Sequence, residues 1–325
     1  MESKHLGQSG LKVSIVGLGC MNFHTMNDEA ESTAIVNKAL ELGVNLFDVA
    51  DVYGDRGKSE QYLGRALGTR RPEVVVATKF AGPMSDERKD MMGGSRRYVM
   101  QAVEASLRRL KTDYIDLYQI HFYDNSTPVE ETLRALDDLV HQGKVRYIGC
   151  SNYNGWQITD AEWTARTANI SGYISAQNRY SLLTRELEKD VVPVCEKFGL
   201  GILPYFPLES GLLTGKYKKG EAFPEGTRLN KWQTFAAGAF ASDDKVTKVE
   251  ALRELSTRYG HTLLDMAMGW LASRPQVASV IAGVTSPAQL EQNVQAGAWR
   301  PDTEELQAID EITGLPEERF GPARR

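Results

Sequence analysis

Arg97-Tyr-Val-Met100-Gln-Ala-Val103-Glu-Ala-Ser106-Leu107-Arg-Arg-Leu110-Lys-Thr-Asp-Tyr114-Ile-Asp-Leu-Tyr-Gln-Ile120-His121 holds two periodicities and a chemical group in one reach of chain. Met100, Val103, Leu107 and Leu110 recur at the spacing of one helix face. After a short link, 114–120 is a brief, largely apolar run of the kind a buried parallel strand requires. His121 then stands at the strand's end. Helix, link, strand and polar terminus make up one βα unit, so the fold turns on whether the unit repeats.

Short apolar runs recur at 14–19, 44–49, 74–79, 114–120, 147–150, 173–177, 200–205 and 278–283, with helix-period segments between them. The segment 28–42 opens with Asp28-x-x-Glu31, a capping box. Thr127-Pro128-Val129-Glu130 reads as an N-cap, a first-turn proline and a capping-box glutamate ahead of Leu133, Leu136 and Leu139. Eight strands each followed by a helix predict a (β/α)8 TIM barrel spanning 1–325 as one domain, with 6–11 as the turn of an N-terminal β-hairpin closing the base. An open doubly wound sheet is the alternative. The last interval, Tyr205 to Gly283, is far longer than the others and contains a loop, about 206–243, expected to act as a lid.

Composition bounds the function. The 325 residues are 42% hydrophobic and 25% charged, the balance of a globular chain with a sizeable core. The net charge of −5, without long basic runs, argues against nucleic acid or membrane as partner. Cys20, Cys150 and Cys195 form no CxxC pair and suit a reducing compartment. With no leader or spanning segment legible, a cytoplasmic location is expected.

In a barrel the chemistry gathers where strands end. Asp48 closes the second run, Tyr53 follows in Asp48-Val-Ala-Asp51-Val-Tyr53-Gly54, Lys79 closes the third and His121 the fourth. A buried lysine needs an acid partner, and its ammonium beside a phenol lowers the phenol's pKa from about 10. Two units of lowering take about 2.7 kcal/mol, within reach of one close desolvated cation. Tyr53 is therefore the expected acid, with His121 orienting a carbonyl oxygen.

These stretches resemble the aldo-keto reductase superfamily, in its long-loop branch that includes potassium-channel β-subunits. Asp48 to Gly54 is similar to its Asp-Thr-Ala-x-x-Tyr-Gly segment, Ser106 to His121 to the signature around its histidine, and Ile148-Gly-Cys-Ser-Asn152 to its Ile-Gly-Val-Ser-Asn. Val49 replaces the usual threonine. The resemblance implies a metal-free NAD(P)H-dependent reductase of aldehydes or ketones with Asp48, Tyr53, Lys79 and His121 as its tetrad. It further implies Tyr205 stacked on the nicotinamide, followed by Phe206, Pro207 and Leu208. Ser151, Asn152 and Gln177 would bind the carboxamide, and Gly19, Cys20 and Met21 would lie near the ring. Lys216 and Arg228 would clasp the phosphates.

The eighth run leads to Gly283, Thr285 and Ser286-Pro287-Ala-Gln289, a capping box whose helix start can receive an anion, with Gln292 and Asn293 beyond. NADPH is expected over NADH, although members that prefer the 2′-phosphate often carry a cation here. Phe23, Phe80, Phe122, Tyr123 and Trp232 are the expected wall for a small-molecule carbonyl substrate. Three questions stay open: direction of reaction, oligomeric state, and whether the chain is instead a cofactor-binding regulatory subunit acting through a protein partner.

Overall fold

The computed structural model describes residues 1–217 and 242–314. A hairpin of β1 (Ser3–His5) and β2 (Lys12–Ser14) precedes eight strands: β3 (Val16–Gly19), β4 (Leu46–Asp48), β5 (Val75–Phe80), β6 (Ile115–Ile120), β7 (Val145–Ser151), β8 (Ser175–Gln177), β9 (Gly201–Ile202) and β10 (Val280–Gly283). All eight are parallel, in the order β10-β3-β4-β5-β6-β7-β8-β9. The two ends of that order meet: Ala278 N–H donates to Ile202 O (3.0 Å) and Ile281 N–H to Pro204 O (2.9 Å), so the sheet closes on itself as a (β/α)8 barrel. No helix among the described residues is long and apolar enough to cross a membrane.

Strand alternation divides the core in two. Leu46, Val75, Ala77, Leu117, Leu203, Ala278 and Ile281 fill the lumen, and Leu6 and Val13 of the hairpin plug it from below. The other faces pack against α1 (Glu29–Glu41), α2 (Tyr53–Leu67), α3 (Arg96–Leu110), α4 (Val129–His141), α5 (Gly155–Ala168), α6 (Val191–Phe198), α7 (Asp243–Arg258), α8 (Leu263–Ser273), α9 (Pro287–Ala296) and α10 (Thr303–Thr313).

Some helix starts follow the sequence reading and some do not. Asp28 and Glu31 form the expected capping box. At α4 the box does not form: Pro128 is the cap, Thr127 Oγ1 donates to Asp124 Oδ2 (2.7 Å), and Glu130 pairs with Arg134 one turn on. A turn organised by Asp124 outcompetes the cap. At α9, Ser286 accepts from Gln289 N–H (3.3 Å), but the Gln289 side chain accepts from Thr285 N–H (2.9 Å), so only half of that box exists.

Candidate active site

The strand ends bring together what the chain keeps apart. Lys79, fully buried, donates from Nζ to Asp48 Oδ2 (2.7 Å) and to Val49 O (3.0 Å). Gln177 Nε2 donates to the other carboxylate oxygen (2.7 Å), so Asp48 is held from both sides. The ammonium lies 5.0 Å from the centre of the Tyr53 ring, and the Tyr53 and His121 rings meet nearly edge-on, 5.8 Å apart.

Burial opposes the charge on Lys79, but Asp48 and the Tyr53 phenol outweigh it and raise the pKa. Lys79 stays an ammonium. Burial first and Lys79 second push His121 down to about 3, leaving a neutral imidazole whose buried Nδ1 has no hydrogen-bond partner among the described residues. At Tyr53 the expectation of a lowered pKa is reversed: burial raises it, and the pull of Lys79 does not overcome burial. The result is a phenol that keeps its proton at neutral pH beside a fixed cation.

Tyr53 is set by an unusual backbone. Gly54, Asp55, Arg56 and Gly57 all take positive φ (64°, 57°, 60° and 119°), one left-handed turn before α2 becomes regular. A Cβ on Gly54 would sit 2.7 Å from Ser59 N, so the turn excludes a side chain there. Beneath it, buried Glu60 accepts from Thr78 Oγ1 (2.6 Å), beside Lys79, and from Arg109 Nε (2.6 Å), whose side chain packs against Gly57. Asp51 is also buried; burial and the nearby Glu60 raise its pKa well above the carboxylate range.

A cavity of about 900 Å³ opens over these groups. Of the expected residues, Gly19, Met21, Asp48, Tyr53, His121, Ser151, Asn152, Gln177, Tyr205, Phe206, Pro207, Leu208, Lys216, Gly283, Thr285, Gln289, Gln292, Asn293 and Phe122 line it. Ser151, Asn152, Gln177 and Tyr205 are linked to one another: Tyr205 Oη donates to Asn152 Oδ1 (2.6 Å), Asn152 Nδ2 to Ser151 Oγ (3.2 Å) and Ser151 Oγ to Gln177 O (2.9 Å).

Lys79 lies fully buried behind Asp48 rather than in the lining, and four further expected residues lie elsewhere. Cys20 and Phe80 each follow a residue that faces the lumen or its mouth, so alternation turns them into the barrel–helix layer, where Phe80 stacks on Tyr118 (4.7 Å). Phe23 is fully buried in the same layer, and Tyr123 packs edge-on against Tyr153 and Trp156 beside the cavity. Arg228, Trp232 and most of the expected lid fall outside the described residues. Asn22, Met26, Val52, Ser210, Gly211, Thr214 and Leu264 line the cavity without having been singled out. Ser210 and Gly211 carried a signal, since they directly follow the Tyr205–Leu208 wall; Leu264 is brought in only by the packing of α8.

The comparisons agree with this geometry. The chain is 37% identical to a probable voltage-gated potassium channel subunit beta of Arabidopsis thaliana, covering 91% of each chain. It is 36% identical to an uncharacterized oxidoreductase of Bacillus subtilis (96% of each) and 32% identical to versiconal hemiacetal acetate reductase of Aspergillus parasiticus (96% of each). The model of the aldo/keto reductase family matches residues 15–313, the whole barrel together with the Asp48, Tyr53, Lys79 and His121 constellation at its mouth. With fold, site and relatives concordant, the chain belongs to the aldo/keto reductase family.

Proposed function

We propose that this protein reduces an aldehyde or ketone to the alcohol, reversibly, with NADPH, and that Tyr53 is the proton donor. The observation carrying the proposal is the buried Asp48–Lys79 pair beneath a protonated Tyr53, with neutral His121 on the same cavity wall.

The cavity fits a dinucleotide. Among the described residues, buried Ser210 Oγ has no hydrogen-bond partner, and Gly211, where a Cβ would come within 2.9 Å of Lys216 Nζ, lets the Lys216 ammonium pack closely against this stretch of the cavity wall. At the other end, the start of α9 offers the backbone N–H groups of Ser286 and Ala288, those of Thr285 and Gln289 being taken within the cap and Pro287 having none, in the positive end of a helix that favours an anion. Tyr205–Leu208, Ser151, Asn152 and Gln177 would hold the nicotinamide end, and Lys216 with the α9 start the phosphates. The bound dinucleotide supplies the hydride equivalent. Tyr53 gives its proton to the carbonyl oxygen, and Lys79, fixed by Asp48, stabilises the phenolate left behind. A neutral His121 N–H orients that oxygen without competing for the proton. Phe122, 47% exposed at the mouth, provides an apolar face for the rest of the substrate.

Titration with NADPH and NADH by intrinsic fluorescence, followed by nicotinamide absorbance with a panel of aldehydes and ketones, tests this reading. Tyr53→Phe is expected to retain nucleotide and lose about 10²–10⁴-fold in turnover; undiminished turnover removes Tyr53 from the mechanism. The relative named as a channel subunit supports a second reading, a cofactor-binding regulatory subunit. Tight nucleotide binding with no turnover on any carbonyl favours it.

A further inference from the structure

The cavity wall after Tyr205 has an unfavourable backbone. Phe206, Glu209, Ser210 and Gly211 take φ of 53°, 45°, 56° and 98°, and three of the four are not glycine. Left-handed geometry at such residues persists only where surrounding bonds impose it. Leu208, Ser210 and Gly211 face the cavity, but Glu209 does not line it. Its carboxylate turns inward, fully buried, and collects five hydrogen bonds from the described residues. Arg179 donates from Nη2 (2.5 Å) and Nε (3.2 Å), Ser181 Oγ at 2.8 Å, Thr184 Oγ1 at 3.0 Å and Lys245 Nζ at 3.0 Å.

The donors come from two places. Arg179, Ser181 and Thr184 lie just beyond β8, where Arg179 also bridges in parallel to Tyr205. Lys245 is in the first turn of α7. Glu209 thus ties the nicotinamide side of the wall, the left-handed turn and the start of α7 to one point. Burial works against its charge, but Arg179 and Lys245 outweigh burial and hold the carboxyl below the usual range.

We infer that Glu209 is a positioning residue for the dinucleotide: its buried carboxylate holds the left-handed Phe206–Gly211 wall, which runs from the nicotinamide end of the cavity toward Lys216, in the shape that receives the nucleotide, and so sets how long it stays bound. The inference rests on the nucleotide-binding reading above. Its test is the release rate of NADPH, followed by fluorescence on displacement at a temperature well below the unfolding midpoint of each variant.

Glu209→Gln is expected to speed release by about tenfold or more and to raise the dissociation constant in step, equivalent to about 1.4 kcal/mol. Lys245→Met and Thr184→Val, which each remove one donor, are expected to speed release less. A Glu209→Gln protein that melts earlier but releases NADPH at the wild-type rate overturns the inference, because the carboxylate then serves stability alone. Should Glu209→Gln fail to fold, unchanged release in folded Lys245→Met and Thr184→Val overturns it, and faster release in both supports it. Wild-type protein that binds neither NADPH nor NADH overturns the nucleotide reading itself, before any substitution is made.

Discussion

His121 shows how burial decides chemistry at a single residue. Its imidazole, pushed down to about 3, is neutral when folded across the range where an unfolded histidine, near 6.5, takes up a proton. Between about pH 3 and 6.5 the unfolded chain binds the extra proton, so stability rises with pH through that window and is lost toward its acid end. His121→Gln is expected to flatten this dependence by a few kcal/mol near pH 3, measured as the urea midpoint against pH. An unchanged slope would mean that the folded imidazole titrates normally. Tyr53 has its pKa raised, so the reduction rate is expected to hold across neutral pH and to fall only above about pH 10. The sequence placed His121 at a strand end and Tyr53 in the loop segment that follows one, both on the face where a barrel gathers its chemistry. It could not weigh burial against the nearby lysine, and the direction of the Tyr53 shift came out opposite.

Among the elements, α2 is the one whose start matters most, because Tyr53 and its left-handed turn precede the regular helix. The Glu60–Arg109 pair braces that turn from α3 and ties α2 to Thr78 on β5. Arg109→Met leaves Glu60 buried and unpaired and is expected to cost about 3–5 kcal/mol, with a fall in kcat as Tyr53 loses its support. Adding Glu60→Leu should recover much of the stability but not the kcat, a pattern read by urea unfolding and steady-state kinetics on the two single variants and the double. Full recovery of kcat in the double variant would show that the brace does not position Tyr53. Nothing in Asp55-Arg56 announces a left-handed turn, since neither residue requires one. The flanking glycines allow it, and the packing of Arg109 under Gly57 selects it. The same kind of override moved the α4 cap from Thr127 to Pro128, where Asp124 claims the threonine hydroxyl.

For the molecule as a whole, the hairpin packs into the base of the barrel through Leu6 and Val13. Leu6 is fully buried in the lumen, on the opposite side of the barrel from the cavity. Leu6→Ala is expected to lower stability by about 2–5 kcal/mol while leaving the nucleotide dissociation constant unchanged, measured by urea unfolding and fluorescence titration. A weakened nucleotide affinity would show that the base and the mouth of the barrel are coupled.

The sequence by itself determined the eight strands, their order as βα units, the rim position of Asp48, Lys79, His121, Ser151 and Gln177, and the basal hairpin. These follow from local periodicity and from the polar residue that ends each apolar run. Only the tertiary structure decided which neighbours of those residues face the cavity. Strand alternation sends Phe80 and Cys20 into the helix layer, although both adjoin site residues. Only the tertiary structure, likewise, brought Leu264 to the cavity wall and joined Glu209 to Arg179 and Lys245. Contacts between residues distant in sequence leave no period to read; they exist because a closed barrel brings the ends of separate strands and helices to one rim.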